Sequence, residues 1–190
     1  MNETTKMILV LTAICAVCGF LLAGVRRATE ERIEDQIMKY VKGPAVKRAL
    51  RAATNDPLRD RRQVAREGES LTVFIGRDGD EIAHVAYETT AEGFGGEMGV
   101  IVGYDLKKDC VSGVGIASHR ETPGVGSRVT QEDFSERFAG KPLGASFNVK
   151  KDGGEIDGVT GATISSRAVC RAVQQNVAMY PQIKEQALKQ

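Results

Sequence analysis

The sequence contains no tryptophan, only 5% aromatic residues and two histidines among its 190 residues. With so few aromatic side chains it offers no stacking platform for single-stranded nucleic acid. Its formal net charge is +1, so electrostatics give no reason to expect a nucleic-acid partner. Two histidines without a compact carboxylate cluster argue against a metal site, and they leave few groups for acid–base catalysis. We therefore predict no metal ligands and no catalytic residues.

Cysteine is also scarce, and the four cysteines fall into two pairs. Cys15 and Cys18 lie in an apolar run, where small packing residues are the simplest interpretation. Their spacing of three residues also permits a redox or cluster site. Cys110 and Cys170 lie in the polar remainder of the chain. A disulfide between them is compatible with an oxidising compartment, but the sequence does not establish that they are close.

One long apolar run, Met7–Val25, carries no charge. As a helix it is long enough to cross a hydrocarbon core of about 30 Å. A cleaved signal peptide is the alternative, but the run is long for one, lacks a clean cleavage site and ends at two arginines. We predict a single-pass membrane anchor over residues 1–27, a helical stalk and linker over 28–66, and a folded domain over 67–190.

The folded domain shows strand-like runs separated by turn residues and followed by helical spacing. The predicted strands are Leu71–Ile75, Ile82–Glu88, Gly99–Tyr104, Val111–Ala117 and Ala145–Val149. The predicted helices are Ala28–Val41 and Ala45–Ala53 in the stalk, Thr130–Ala139, and Ile164–Tyr180 closed by Pro181. Asn55–Arg66 is polar and basic, which is typical of a linker or surface loop. We expect an α+β fold with a twisted antiparallel sheet and packed helices.

A stretch near the C-terminus, Asp157–Ser166, combines two glycines with small hydroxyl residues just before the last helix. This arrangement places Thr160 or Thr163 at a helix N-terminus, where side-chain oxygens accept hydrogen bonds from backbone N–H groups. Such an end also attracts anions, above all phosphate. An ordinary N-cap on a core helix is the alternative, and the local pattern alone favours it.

A second stretch, His119–Gly126, reads H-R-E-T-P-G-V-G. The proline stiffens the backbone, and its two glycines allow a planar ligand to approach closely. Glu121 and Thr122 offer acceptors and a donor to such a ligand. A rigid connection between a strand and a helix is the alternative. For His119 the alternatives are hydrogen bonding within the loop and proton delivery.

A glycine cluster, Gly93–Met98, precedes the third predicted strand. It lacks the third spaced glycine of a dinucleotide fingerprint, and no βαβ unit surrounds it. The residues themselves indicate a flexible turn, and a loop next to a ligand is implied only by the family resemblance described next.

The two stretches together resemble the D-G-x-[ST]-G-A-T and H-x-E-T-P-G-x-G motifs of FMN-binding domains in the Rnf and Na⁺-pumping NADH:quinone reductase complexes. The resemblance implies FMN joined to Thr163 by a phosphoester. No histidine lies near Thr163 to activate its hydroxyl, so the resemblance implies a separate flavin transferase that uses FAD and a metal. Asp157 belongs either to the tag that this enzyme reads or to the helix start. The predicted pocket residues are Thr160, Gly161, Ala162, Glu121, Thr122, Gly124, Gly126 and His119.

The short chain and modest stalk most resemble the G-type flavoproteins of the Rnf complexes. This implies a flavoprotein component in the bacterial inner membrane that relays electrons in an ion-translocating ferredoxin:NAD oxidoreductase, beside other subunits. Membership in the branch of Rnf-like complexes that reduces an iron–sulfur regulator is an equally open alternative. The resemblance implies an extracytoplasmic domain, whereas Lys6 against Arg26, Arg27 and Arg32 predicts the opposite orientation. Alternatives are a cofactor-free assembly protein and a membrane-tethered flavoenzyme with its own substrate.

Overall fold

The computed structural model describes residues 2–66 and 69–189. The chain divides into two compact units, one ending at Met38 and the other beginning at Lys39. Helix α1, Glu3–Gln36, makes up most of the first unit. Its segment Glu3–Glu30 is long and apolar enough to cross a membrane, and an 18-residue stretch within it has a mean hydropathy of 2.7. By length and composition, this helix suits the predicted membrane anchor.

The second unit is built on a five-stranded antiparallel sheet whose strands are neighbours in chain order. A π-helical segment, Ile37–Lys42, and helix α2, Gly43–Ala49, precede the sheet. The strands are β1 (Arg61–Arg66), β2 (Glu69–Asp78), β3 (Glu81–Glu92), β4 (Glu97–Asp105) and β5 (Cys110–Ser118). The antiparallel sheet with packed helices confirms the predicted α+β fold.

The segment after β5 is mostly turns and short helices until the last helix. Single helical turns cover Gly126–Thr130, Glu136–Phe138 and Lys150–Asp152, and the short helix α3 covers Glu132–Ser135. Helix α4, Thr163–Lys189, then packs along one face of the sheet. The start of α4 and the loops at one end of the sheet therefore come together.

A buried amide fixes α4 to the sheet. Asn176 is fully buried on α4, and its Oδ1 accepts a hydrogen bond from Tyr104 Oη at 2.7 Å. Its Nδ2 donates to the carbonyl oxygen of Tyr87 at 3.0 Å, and Tyr87 Oη donates to the carbonyl oxygen of Asn176 at 2.7 Å. Because buried polar groups are costly unless paired, this network specifies how α4 sits on the strands.

Helix α2 covers the opposite face of the sheet, where glycines let its backbone come close. A Cβ atom at Gly103, Gly113 or Gly115 would meet backbone oxygens of α2 at 2.1–2.5 Å. The sequence predicted a stalk and linker over residues 28–66. In the structure, α2 and β1 come from this range and pack within the second unit.

Other predicted elements in the second half of the chain also differ from the structure. Ala145–Val149 is irregular rather than a strand, and only Val149 makes a bridge, to Ile156. The predicted helix Thr130–Ala139 is shorter, because α3 ends at Ser135 and a single 3-10 turn follows it. Pro181 does not end α4, since the buried side chains of Ile183 and Ala187 hold the following turns against the core.

Candidate functional site

A cavity of about 390 Å³ lies where three segments of the second unit meet. These segments are the turn between β3 and β4, the loop after β5, and the start of α4. Small-molecule sites commonly occupy about 300–1,000 Å³, so the cavity is large enough for such a ligand. It is lined by Phe94, Glu121, Thr122, Val125, Gly126, Gly161, Ala162, Thr163, Ile164 and Ser165.

Each of the three segments contributes one large apolar side chain to the cavity. Phe94 is 69% exposed, and Val125 and Ile164 are each 48% exposed. Exposed apolar side chains that converge on one cavity indicate a site for a largely apolar group. Sequence reasoning missed all three. The glycine cluster around Phe94 was the available signal, whereas helical spacing placed Ile164 on the buried face of the helix.

Thr163 is the first residue of α4, at the edge of the cavity. The preceding turn is closed by a hydrogen bond from Ala162 N to Val159 O at 3.0 Å, with Gly161 at φ 85°. Ser166 Oγ accepts from Val159 N at 2.9 Å and so fixes this turn to the helix. Helix N–H groups at this end lack partners within the helix, which favours an anion beside Thr163.

The turn before α4 is also held from outside by basic side chains. Lys150 Nζ donates to Asp157 Oδ2 at 2.8 Å, and Arg128 Nη1 donates to Thr160 O at 3.3 Å. Arg137 Nη1 donates to the backbone carbonyl of Asp157. The hydrogen bond from Lys150 lowers the pKa of the Asp157 carboxyl group. The turn is therefore fixed in position although Asp157 and Thr160 are exposed.

A second, smaller cavity of about 140 Å³ lies on the other side of Thr163. Its lining includes Lys150, Lys151 and Asp157 as well as Thr160 and Thr163. The threonine at the helix start thus separates a mainly apolar cavity from a charged one.

Glu121 lines the larger cavity and also makes contacts within the protein. Its side chain is buried, and the residue is only 5% exposed. Its carboxyl oxygens accept hydrogen bonds from the backbone N–H groups of Phe94 and Gly95 and from the hydroxyl of Ser165. The carboxyl group thus connects the segments that surround the cavity.

The other predicted site residues separate into two groups. Gly161, Ala162, Thr163, Thr122 and Gly126 line the larger cavity together with Glu121. The remaining predicted residues, Thr160, Gly124 and His119, lie around it. Thr160 borders the smaller cavity, and Gly124, at φ 74°, forms a turn through its N–H and Ser127 Oγ. His119 is exposed, and its Nδ1 accepts from the backbone N–H of Glu121 at 3.3 Å.

Metal-binding groups and reactive cysteines are two further features that could support chemistry in the described residues. Within residues 2–66 and 69–189, no group of three or more His, Cys, Asp or Glu side chains is placed to hold a metal ion. Cys110 and Cys170 are free thiols. Burial raises the pKa of the Cys170 thiol to about 12, and burial also raises the pKa of Cys110. At this pKa the buried Cys170 thiol stays protonated and unreactive at neutral pH.

Comparison with known proteins gives a consistent result. Residues 93–178 match the family of FMN-binding domains. The G subunit of the ion-translocating oxidoreductase complex of Cereibacter sphaeroides is 31% identical over 141 residues, covering 70% of this chain and 64% of that protein. The corresponding G subunit of Vibrio vulnificus is 36% identical over 129 residues, covering 64% and 61%. The chain therefore spans slightly less than two thirds of these two curated relatives.

A solved structure shares the fold. The C subunit of the Na(+)-translocating NADH-quinone reductase from Parabacteroides distasonis superimposes with a TM-score of 0.60 at 16% identity. The superposition covers 80% of this chain and 94% of that one. At this identity the likeness establishes the architecture alone.

Proposed function

Since residues 93–178 form a member of the FMN-binding domain family, we propose that FMN occupies the larger cavity and is joined to Thr163 by a phosphoester. The residues present suit this cofactor. Phe94, Val125 and Ile164 offer apolar surface to a flat ring, while Thr163, which lines the same cavity, offers its hydroxyl for attachment of a phosphate. One ligand with a planar apolar end and an anionic end fits this division.

The position of Thr163 is the observation that carries the proposal. A phosphate on its Oγ1 lies at the N-terminus of the 27-residue helix α4. The helix dipole and the N–H groups of the first turn favour negative charge at this point. Lys150, Lys151 and Asp157 line the neighbouring cavity, and because Lys150 pairs with Asp157, the surplus positive charge there is that of Lys151.

Attachment requires help from another protein. In the attachment reaction, Thr163 Oγ1 forms a bond to the FMN phosphorus of FAD, and the pyrophosphate bridge breaks. AMP is the leaving group, and the hydroxyl proton passes to a base. Glu121 is the one carboxyl group in the lining of the larger cavity, but its oxygens accept hydrogen bonds from Phe94, Gly95 and Ser165. A weak nucleophile without an available base needs external activation. We therefore assign this step to a flavin transferase acting with a metal.

The functional role follows from the cofactor and from the relatives. Bound FMN supplies reversible electron transfer, and the protein supplies position and environment. By similarity to the G subunits of ion-translocating oxidoreductase complexes, we propose that this chain is the flavoprotein component of such a complex. It relays electrons between other subunits rather than turning over a diffusing substrate. A covalent bond suits this role because the cofactor cannot be lost by dissociation.

The anchor and orientation complete the proposal. Segment Glu3–Glu30 anchors the chain in a bacterial inner membrane. We place the FMN-binding domain on the extracytoplasmic side, as the resemblance to the flavinylated family implies. This side is opposite to the one predicted from Lys6 and the arginines that follow the apolar run.

Flavin fluorescence on a denaturing gel tests the attachment. The full chain is coexpressed with a flavin transferase, and Thr163→Val is compared with Thr160→Val. Valine keeps the shape of threonine but removes its oxygen, so we expect a fluorescent band for the native chain and for Thr160→Val but none for Thr163→Val. A native chain without fluorescence would instead support a cofactor-free assembly protein, and a dark Thr160→Val with a fluorescent Thr163→Val would move the attachment to Thr160.

A further inference from the structure

Glu121 connects two distant segments of the chain through its buried carboxyl group. Oε1 accepts hydrogen bonds from the backbone N–H of Phe94 at 2.8 Å and from that of Gly95 at 3.3 Å. Oε2 accepts from Ser165 Oγ at 2.7 Å. The first two donors lie in the turn between β3 and β4, and the third lies in the first turn of α4.

Neighbouring glycines enclose the same carboxyl group. A Cβ atom at Gly93 would lie 2.2 Å from Glu121 Oε1, and one at Gly126 would lie 2.3 Å from Oε2. A Cβ atom at Gly95 would lie 2.0 Å from the backbone oxygen of Arg120. The backbone therefore closes around the carboxyl group on several sides, in keeping with its burial.

Phe94 depends on this arrangement for its position. Its ring is largely exposed and has little packing of its own, so its backbone must hold it at the cavity. The turn has one internal hydrogen bond, from Gly93 N to Gly96 O. The carboxyl group of Glu121 provides the connection from this turn to the helix that begins at Thr163.

We infer that Glu121 is a positioning residue, which fixes the Phe94 turn against the start of α4 and so determines the environment of the flavin ring without taking part in its attachment. The inference rests on the proposed function. The attachment turn has its own supports in Lys150, Arg128 and Ser166, so the two roles are separable.

Glu121→Leu and Glu121→Gln in the full chain, coexpressed with a flavin transferase, test the inference. Leucine removes all three acceptor contacts. Glutamine restores them, because its oxygen accepts from the two backbone N–H groups and its amide donates to Ser165 Oγ. Glu136→Leu is the matched control, since it makes the same change at an exposed glutamate outside the cavity.

Three measurements separate the possible roles. Denaturing gels report attached flavin, iodide quenching of the native protein reports access to the ring, and amide hydrogen exchange reports protection of Phe94 and Gly95. For Glu121→Leu we expect full attachment, stronger quenching, and exchange at both amides faster by about tenfold or more, as loss of these hydrogen bonds requires. Glu121→Gln and Glu136→Leu should behave like the native chain.

Other outcomes would overturn the inference. Native exchange and quenching in a folded Glu121→Leu would show that the carboxyl group does not position the turn, and loss of flavin at an unchanged melting temperature would show a role in attachment. If Glu121→Leu does not fold, Gly95→Ala displaces the same turn through Arg120, and native quenching there would contradict the inference. The amide exchange comparison between Glu121 and Glu121→Leu can be repeated in the Thr163→Val background, which carries no attached flavin. Failure of the proposed attachment therefore remains distinguishable from failure of this inference.

Discussion

Gly115→Ala tests the contact between helix α2 and the outer face of the sheet. A Cβ atom at position 115 would lie 2.2 Å from the carbonyl oxygen of Ala45 and 2.6 Å from its Cα atom. Both neighbours are backbone atoms, so α2 must move away from β5 to relieve the overlap. Overpacking of this kind costs about 1–3 kcal/mol of the free energy of unfolding.

The buried side chains of α2 set the upper limit of the effect. Val46 is 0% exposed and Leu50, just after the helix, is 2% exposed. Burial of such a side chain contributes about 1.5–3 kcal/mol, so complete separation of α2 would cost about 3–6 kcal/mol. For a domain of this size 1 kcal/mol corresponds to about 2–4 °C. A helix that shifts but stays bound should therefore lower the melting temperature by about 2–12 °C.

Thermal unfolding of the full chain in detergent, followed by circular dichroism, measures this change. Gly144→Ala is the matched control, because no atom lies within 4 Å of a Cβ at that position. We expect the control to stay within about 0.5 kcal/mol of the native chain. Equal melting temperatures for Gly115→Ala and the native chain would refute the contact between α2 and the sheet.

Two further predictions concern a thiol and the membrane orientation. Burial raises the pKa of Cys170 to about 12, so we expect no alkylation of this thiol by N-ethylmaleimide at neutral pH until the domain unfolds. Peptide mass spectrometry measures the alkylation. Labelling of the folded protein at the rate of a denatured control would contradict this burial. A reporter enzyme active only outside the cytoplasm, fused after the last residue, should be active; activity of a cytoplasmic reporter alone would reverse the proposed orientation.

Much of the second unit could be predicted from the sequence because its strands and last helix have clear periodicity. Val85, Tyr87 and Tyr104 point to the core from strands that were predicted with shorter bounds. The sequence of strand β1 instead predicted a linker, because its one large apolar residue, Val64, lies among charged and polar residues. Edge strands tolerate such composition, since one side has no neighbour.

The errors near α4 have a different cause, which is tertiary packing. Ala145–Val149 has strand composition but turns back through hydrogen bonds such as Ile156 N to Asn148 O. Pro181 usually marks the end of a helix, yet Ile183 and Ala187 are fully buried and carry α4 onward. Contacts between segments distant in sequence decide both cases, and local pattern does not contain them.

The motifs of the candidate site could be predicted from the sequence, but the contacts of its individual residues could not. The stretch around Thr163 and the loop around Thr122 were identified from sequence, and the structure brings both to one cavity. Phe94 gave only a weak signal within a glycine cluster. The buried contacts of Glu121 gave none, because its partners lie 27 and 44 positions away in the chain.

Mass spectrometry of one proteolytic fragment tests the central proposal most directly. Cleavage after Lys151 and Arg167 releases residues 152–167, which contain both Thr160 and Thr163. From a chain made beside its flavin transferase, we expect this fragment to carry the mass of FMN less one water, with fragmentation placing the addition on Thr163. An unmodified fragment from such a preparation would contradict the covalent attachment and the electron-relay role that rests on it.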